Sequence, residues 1–186
     1  MRWAPEQGHV PRGFCGATGS LEDVRLVIVS AEPGDPHESE AHSKTAPLDS
    51  VNEYAYSCFR DGKDLFHRNI RMILDMCFPE LGFADQLRAT WITDSVLCSA
   101  RVEGGTVPAS AWRECRRRFL EPQLALFPNA VVAAVGAKAR DRLMGVPGVI
   151  PAVSAAPPGC NLRGAKVSWQ AIADRVQRRG VAAGLT

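Results

Sequence analysis

The sequence predicts a three-layer α/β/α sandwich built on a central four-stranded, mostly parallel sheet. Two observations carry this expectation. Four short apolar runs, at 24–30, 90–96, 130–135 and 149–155, are rich in Val, Ile and Ala and show no strict polar alternation. Runs of that kind suit parallel strands covered on both faces. Helical patterns lie between them, and strands alternating with helices indicate a doubly covered sheet.

The helices follow in order. Phe66, Ile70, Ile73, Leu74 and Cys77 fall on one stripe of a 3.6-residue repeat, so this segment predicts an amphipathic helix. A second helix is expected over 108–127, with Pro122 as a kink or break because proline lacks the amide donor. A third begins after Gly136. A fourth covers 166–179, where Trp169, Ile172, Ala173 and Val176 share a face. The stretch 33–57 reads as irregular, and its length marks it as functional.

At 186 residues the chain fits one domain, 1–186, with enough length for a real core. Apolar residues make up 46% and charged residues 23%, ordinary for a globular protein. No apolar run reaches the ~20 residues of a membrane span. The first residues lack the apolar stretch of a secretory signal, so a cytoplasmic location is expected. A net charge of +2 does not by itself identify a nucleic-acid partner. Two basic clusters, Arg116 to Arg118 and Lys138, Arg140 and Arg142, read individually as solvated helix faces. The six cysteines lack the paired spacing of a disulfide framework.

In parallel sheets ligands bind beyond the carboxyl ends of the strands. That rule selects the segments 31–37, 98–107, 136–138 and 156–163. The first reads Ala31-Glu32-Pro33-Gly34-Asp35-Pro36-His37, with three acid–base groups close to a strand end. A carboxylate there orients a water or steadies a cation, although the segment alone also reads as a solvated acidic turn. No Gly-x-Gly-x-x-Gly follows a strand, which argues against a dinucleotide-binding domain.

The succession of segments says more. Ser30 to Gly34, Cys58-Phe59, Trp91 to Cys98, Val131 to Ala139 and Ala156 to Arg163 together resemble the uracil-DNA glycosylase superfamily in order and spacing. The likeness spans roughly 24–179. It is closest in overall pattern to the iron–sulfur branch.

What the resemblance implies is hydrolysis of an N-glycosidic bond through an oxocarbenium-like sugar. Glu32 takes the place of the catalytic aspartate of the uracil-specific branch, one methylene longer. Ala31 and Gly34 fall in the same base-binding motif, and Gly34 replaces a tyrosine wall, which implies a roomier pocket. Phe59 takes the place of the aromatic on which the flipped base stacks; Tyr56 and Phe66 compete, and a core phenylalanine is the plain alternative. Asp94 replaces an asparagine that reads uracil O4 and N3–H. An ionised carboxylate only accepts. Asp94 is therefore protonated by burial and the nearness of Glu32, or the preferred base is not uracil, or Asp94 merely caps a loop. Ala156 replaces the histidine that supports the leaving base, and His37 is the available substitute, although a lone loop histidine is more often just exposed. Pro157, Pro158, Gly159, Asn161, Leu162 and Arg163 are implied to meet DNA, with Leu162 as the wedge and Arg163 on phosphates.

Cys98 and Cys115, sixteen residues apart in between, match the later cluster cysteines of the iron–sulfur branch, but the N-terminal pair is missing. Two thiolates cannot hold a four-iron cluster; no metal and no other cofactor is expected. The expected function is a monofunctional DNA glycosylase acting on deaminated bases: uracil, and also xanthine or hypoxanthine. With no lysine evident beside the first motif, strand cleavage through a Schiff base is not expected. DNA is the expected partner, single- or double-stranded; neither a membrane nor an obligatory protein partner is inferred. The alternative is a nucleic-acid-binding protein that keeps the fold without the catalysis.

Overall fold

The computed structural model describes residues 1–38, 40 and 47–182. The α/β expectation is met, with five strands rather than four. Strands β1 (Cys15–Gly16), β2 (Leu26–Ser30), β3 (Thr90–Asp94), β4 (Val131–Val135) and β5 (Ile150–Ala152) form one sheet in the order β1-β3-β2-β4-β5. All neighbours are parallel except β1, which runs against β3. A two-residue strand carries no apolar period, which is why β1 left no sequence signal.

Among the described residues, seven α-helical segments flank the sheet: α1 (Pro47–Asp61), α2 (Leu65–Cys77), α3 (Phe83–Arg88), α4 (Ala109–Cys115), α5 (Glu121–Ala125), α6 (Ala137–Arg142) and α7 (Ala165–Ala182). The two sheet faces separate along each strand because alternate side chains point to opposite sides. Leu26 and Ile28 join Ile70, Leu74, Trp169 and Ile172 in one core. Val27 and Val29 join Leu120, Phe127 and Leu143 in the other. The three layers follow from that division.

Two expectations are corrected. The irregular stretch 33–57 is helical from Pro47 onward, because Val51, Ala55, Cys58 and Phe59 give α1 an inward face; residues 39 and 41–46 lie outside the described residues. Pro122 does not break the second helix. Instead a π-helical turn, Arg116–Leu120, joins α4 to α5 and places the proline in the first turn of α5. A wider turn tolerates the missing amide, since it shifts the hydrogen-bond register that proline would interrupt.

Strand β2 sits at the centre, with β3 on one side and β4 on the other, so the order reverses between β2 and β4. That crevice, beyond the carboxyl ends of the strands, is where such sheets bind ligands.

Candidate functional site

Glu32 leaves the end of β2 and its side chain is only 5% exposed. It is not a solvated acidic turn. Its Oε1 receives the Lys138 ammonium, and its Oε2 lies 2.5 Å from Arg142 Nη1. Both cations come from α6, which starts directly after β4, so the pairing spans the reversal point. The contact with Arg142 is ionic and lacks hydrogen-bond alignment: Nη1 donates instead to the Ala31 carbonyl (2.8 Å) and Ser95 Oγ (3.0 Å). Glu32 Oε2 is therefore a buried acceptor without a hydrogen-bond donor among the described residues.

Lys138 donates to two further acceptors, the carbonyls of Gly104 (3.0 Å) and Gly105 (2.8 Å). An ammonium has three donors, and all three are committed. The reading of Lys138 and Arg142 as a solvated face is thereby overturned, as is the absence of a lysine beside the first motif. Only Arg140 of that cluster stays on the surface, paired with Asp141. In the other basic cluster, Arg117 and Arg118 do form an exposed face against Glu114. Arg116 instead donates to the Arg142 carbonyl (2.9 Å), supporting the end of α6.

Asp94 ends β3, in register with Ser30. Parallel neighbours in register project to the same face, so both side chains point toward the α1–α2–α7 layer. Asp94 is buried. Burial chiefly, and then the nearby Glu32, raise its carboxyl well above the ordinary aspartate range; Arg12 and Arg142 pull the other way without prevailing. A neutral carboxyl both donates and accepts, as an amide does. The backbone of Gly13 closes on this group: a β-carbon there would lie 2.0 Å from Asp94 Oδ2, and its φ of +83° also demands glycine.

Several expected site residues have other neighbours. The Ala31 carbonyl is taken by Arg142, Ser95 Oγ (2.6 Å) and the Val96 amide (3.1 Å), so it locks β2 to the β3 loop. Gly34 accepts from Arg12 and from Ser99 Oγ (2.8 Å). The space beside it is not simply vacant, because a β-carbon on Gly34 would come 2.6 Å from Glu103 Oε1. His37 is exposed, and its amide donates to Glu40 (3.0 Å). The buried histidine beside this loop is His9, whose Nδ1 lies 3.4 Å from Ser99 Oγ. Burial pushes the pKa of His9 down, which favours the neutral ring.

Phe59 lies near the end of α1. It is buried in the core, edge-on to His67 at 4.7 Å and tilted against Phe66. Tyr56 is occupied with Phe83. The last motif is a surface turn. Pro157, Pro158, Asn161 and Arg163 are exposed, Gly159 and Ala156 partly so, and Leu162 is 61% exposed. The strand before it is held by Trp169 Nε1 on the Val153 carbonyl (2.9 Å), and buried Asn69 donates to the Ala155 carbonyl (2.8 Å). Cys98 and Cys115 lie near enough to interact electrostatically, and burial raises both thiols. No group of three or more metal-binding side chains occurs among the described residues.

Sequence reasoning missed Lys138, Arg142, Arg12, Gly13 and Asn69. A signal existed for the first two: residues four apart at the start of a helix share a face, and Gly136 aims that face at the strand ends. No helix among the described residues is long and apolar enough to cross a membrane. No protein-family model matches the chain. No curated protein matches it with significance.

Proposed function

We propose that the chain is a monofunctional DNA glycosylase that hydrolyses the N-glycosidic bond of deaminated bases, as a divergent member of the uracil-DNA glycosylase superfamily. The observation that carries this reading is the nearness of two buried carboxyl groups at the carboxyl ends of the adjacent strands β2 and β3. One is held between cations with an acceptor left over; the other is raised well above the ordinary aspartate range by burial and by the first. In its protonated form Asp94 donates to a ring carbonyl and accepts from the adjacent N–H, the edge shared by uracil, hypoxanthine and xanthine. Glu32 Oε2 takes the attacking water and steadies the sugar cation. Exposed Leu162 enters the duplex where the base has left, with Arg163 on a phosphate.

Lys138 is fastened to three oxygens as an ammonium, so it is not available as a free-amine nucleophile. Base release without strand cleavage follows. The test is a base-release panel on single- and double-stranded oligonucleotides carrying uracil, hypoxanthine, xanthine or thymine. Release of at least one deaminated base, lost in Glu32→Ala, is expected. Failure to release any of them removes the proposal.

A second reading, nucleic-acid binding without catalysis, is favoured by one observation: the charge of Glu32 is offset by Lys138 and Arg142. Single-turnover assays with enzyme in excess separate the two, because binding alone frees no base.

A further inference from the structure

Beside the loop that Lys138 holds over Glu32, the N-terminal segment and residues 101–108 enclose an open cleft of about 720 Å³. This is within the size range of small-ligand pockets, yet none of the residues assigned above lines it. Its walls include Arg2, Trp3, Arg101, Thr106 and Pro108. Trp3 is 66% exposed, unusual for the largest apolar side chain. Arg101 is exposed and makes no ion pair or hydrogen bond among the described residues. Arg2 is partly neutralised by Asp35 at 3.4 Å and also donates to Gln7.

The cleft is fixed to the site rather than appended to it. The Arg2 amide donates to the Ser99 carbonyl (3.0 Å), and Ser99 Oγ donates to the Gly34 carbonyl two residues from Glu32. On the other side, Lys138 joins the carbonyls of Gly104 and Gly105 to Glu32. The cleft and the carboxylate site are thus joined through Ser99 on one side and through Gly104 and Gly105 on the other.

We infer that this cleft binds an unpaired nucleotide of a DNA strand, its base stacked on Trp3 and its phosphate on Arg101. An exposed indole beside an uncommitted guanidinium offers the two groups that sequence-tolerant single-strand binding uses, a stacking platform and a phosphate contact. A paired base has no free face to offer, so the occupant is single-stranded. The inference rests on the nucleic-acid part of the proposed function and adds a second contact to it.

Titration of the whole chain with an undamaged oligodeoxythymidylate tests it, followed by tryptophan fluorescence and by anisotropy of a labelled strand at several salt concentrations. Binding with fluorescence quenching is expected. Trp3→Ala should remove the quenching and weaken binding about 5-fold or more, the low end for loss of one stacked base. Arg101→Ala should weaken binding and reduce the salt slope by about 0.7, the value for one phosphate contact on a single strand. Equal affinity and quenching in wild type and Trp3→Ala would overturn the inference, as would an unchanged salt slope in Arg101→Ala. Thymidine monophosphate as competitor separates a free-nucleotide site from a strand site: displacement at low micromolar levels would also overturn it. Base release is measured on the same variants. Trp3-dependent binding without base release removes the glycosylase reading alone, whereas base release with Trp3-independent binding removes the cleft alone.

Discussion

At the scale of single residues, the site is a contest between burial and charge, and Asp94 shows which wins. Its neighbours include two arginines, which favour the ionised form, yet burial and Glu32 raise its pKa. The consequence for stability has a definite sign. A carboxyl whose pKa is higher folded than unfolded contributes fully below the unfolded value, near pH ~4. That contribution is lost progressively as pH rises through the folded value. Asp94→Asn has no proton to lose, so its melting temperature relative to the wild type should climb from pH 4 upward, then level off. Thermal denaturation at pH 4, 6 and 8 measures this; a difference constant with pH would show that Asp94 ionises normally in the fold. The same substitution keeps one donor and one acceptor for the base edge, so base release should persist in Asp94→Asn and fall in Asp94→Leu. Equal release by Asp94→Leu would count against its role in recognition. Gly13 matters at the same spot, since any side chain there displaces the carboxyl.

At the scale of elements, α6 does more than link two strands. Through Arg142 it ties the end of β2 to the β3 loop, and through Lys138 it holds Glu32 and the loop at 104–105. Arg142→Met removes one cation from a buried pair and two hydrogen bonds. Loss of one partner of a buried pair typically costs about 3–5 kcal/mol; the remaining Lys138 contact places the expected loss at about 3 kcal/mol. Urea denaturation is the measurement, and a loss below about 1 kcal/mol would mean that Arg142 is not a buried ion-pair partner, since exposed pairs contribute only that much. The elements also show what was legible in the sequence. The four longer strands were, because each lies in a short run rich in apolar residues, buried throughout in β2 and with at most one partly exposed position in β3 and β4. Helices α2 and α7 were, because Ile70, Leu74, Trp169 and Ile172 repeat at helical spacing. Helix α1 was not, because its stripe begins after a long polar segment, and the π turn was not, because proline reads locally as a stop. The partnership of Glu32 with Lys138, 106 residues away, was invisible for a different reason: a charged side chain on a helix reads as solvated until the fold supplies its partner.

At the scale of the whole molecule, the features with functional content gather on one end of the sheet. Glu32, Asp94 and the turn carrying Leu162 and Arg163 all follow the carboxyl ends of parallel strands. The cleft with Trp3 and Arg101 lies along the loop fastened to them. A mostly parallel sheet could be anticipated from the alternation of helices and strands, and with it the use of this end of the molecule, whereas the strand order could not. The sequence-based expectation that burial and Glu32 both raise the Asp94 carboxyl is met. Glu103 beside Gly34 was not foreseen, because loop conformations depend on contacts rather than on motif order. In the proposed reaction Glu32 drives hydrolysis of a base read by Asp94. The most direct measurement is single-turnover base release from a uracil-containing single strand by the wild type and by Glu32→Ala, with circular dichroism establishing that the variant is folded. The account expects free uracil from the wild type and none above background from the variant; equal release by both, or release by neither on any deaminated base, would contradict it.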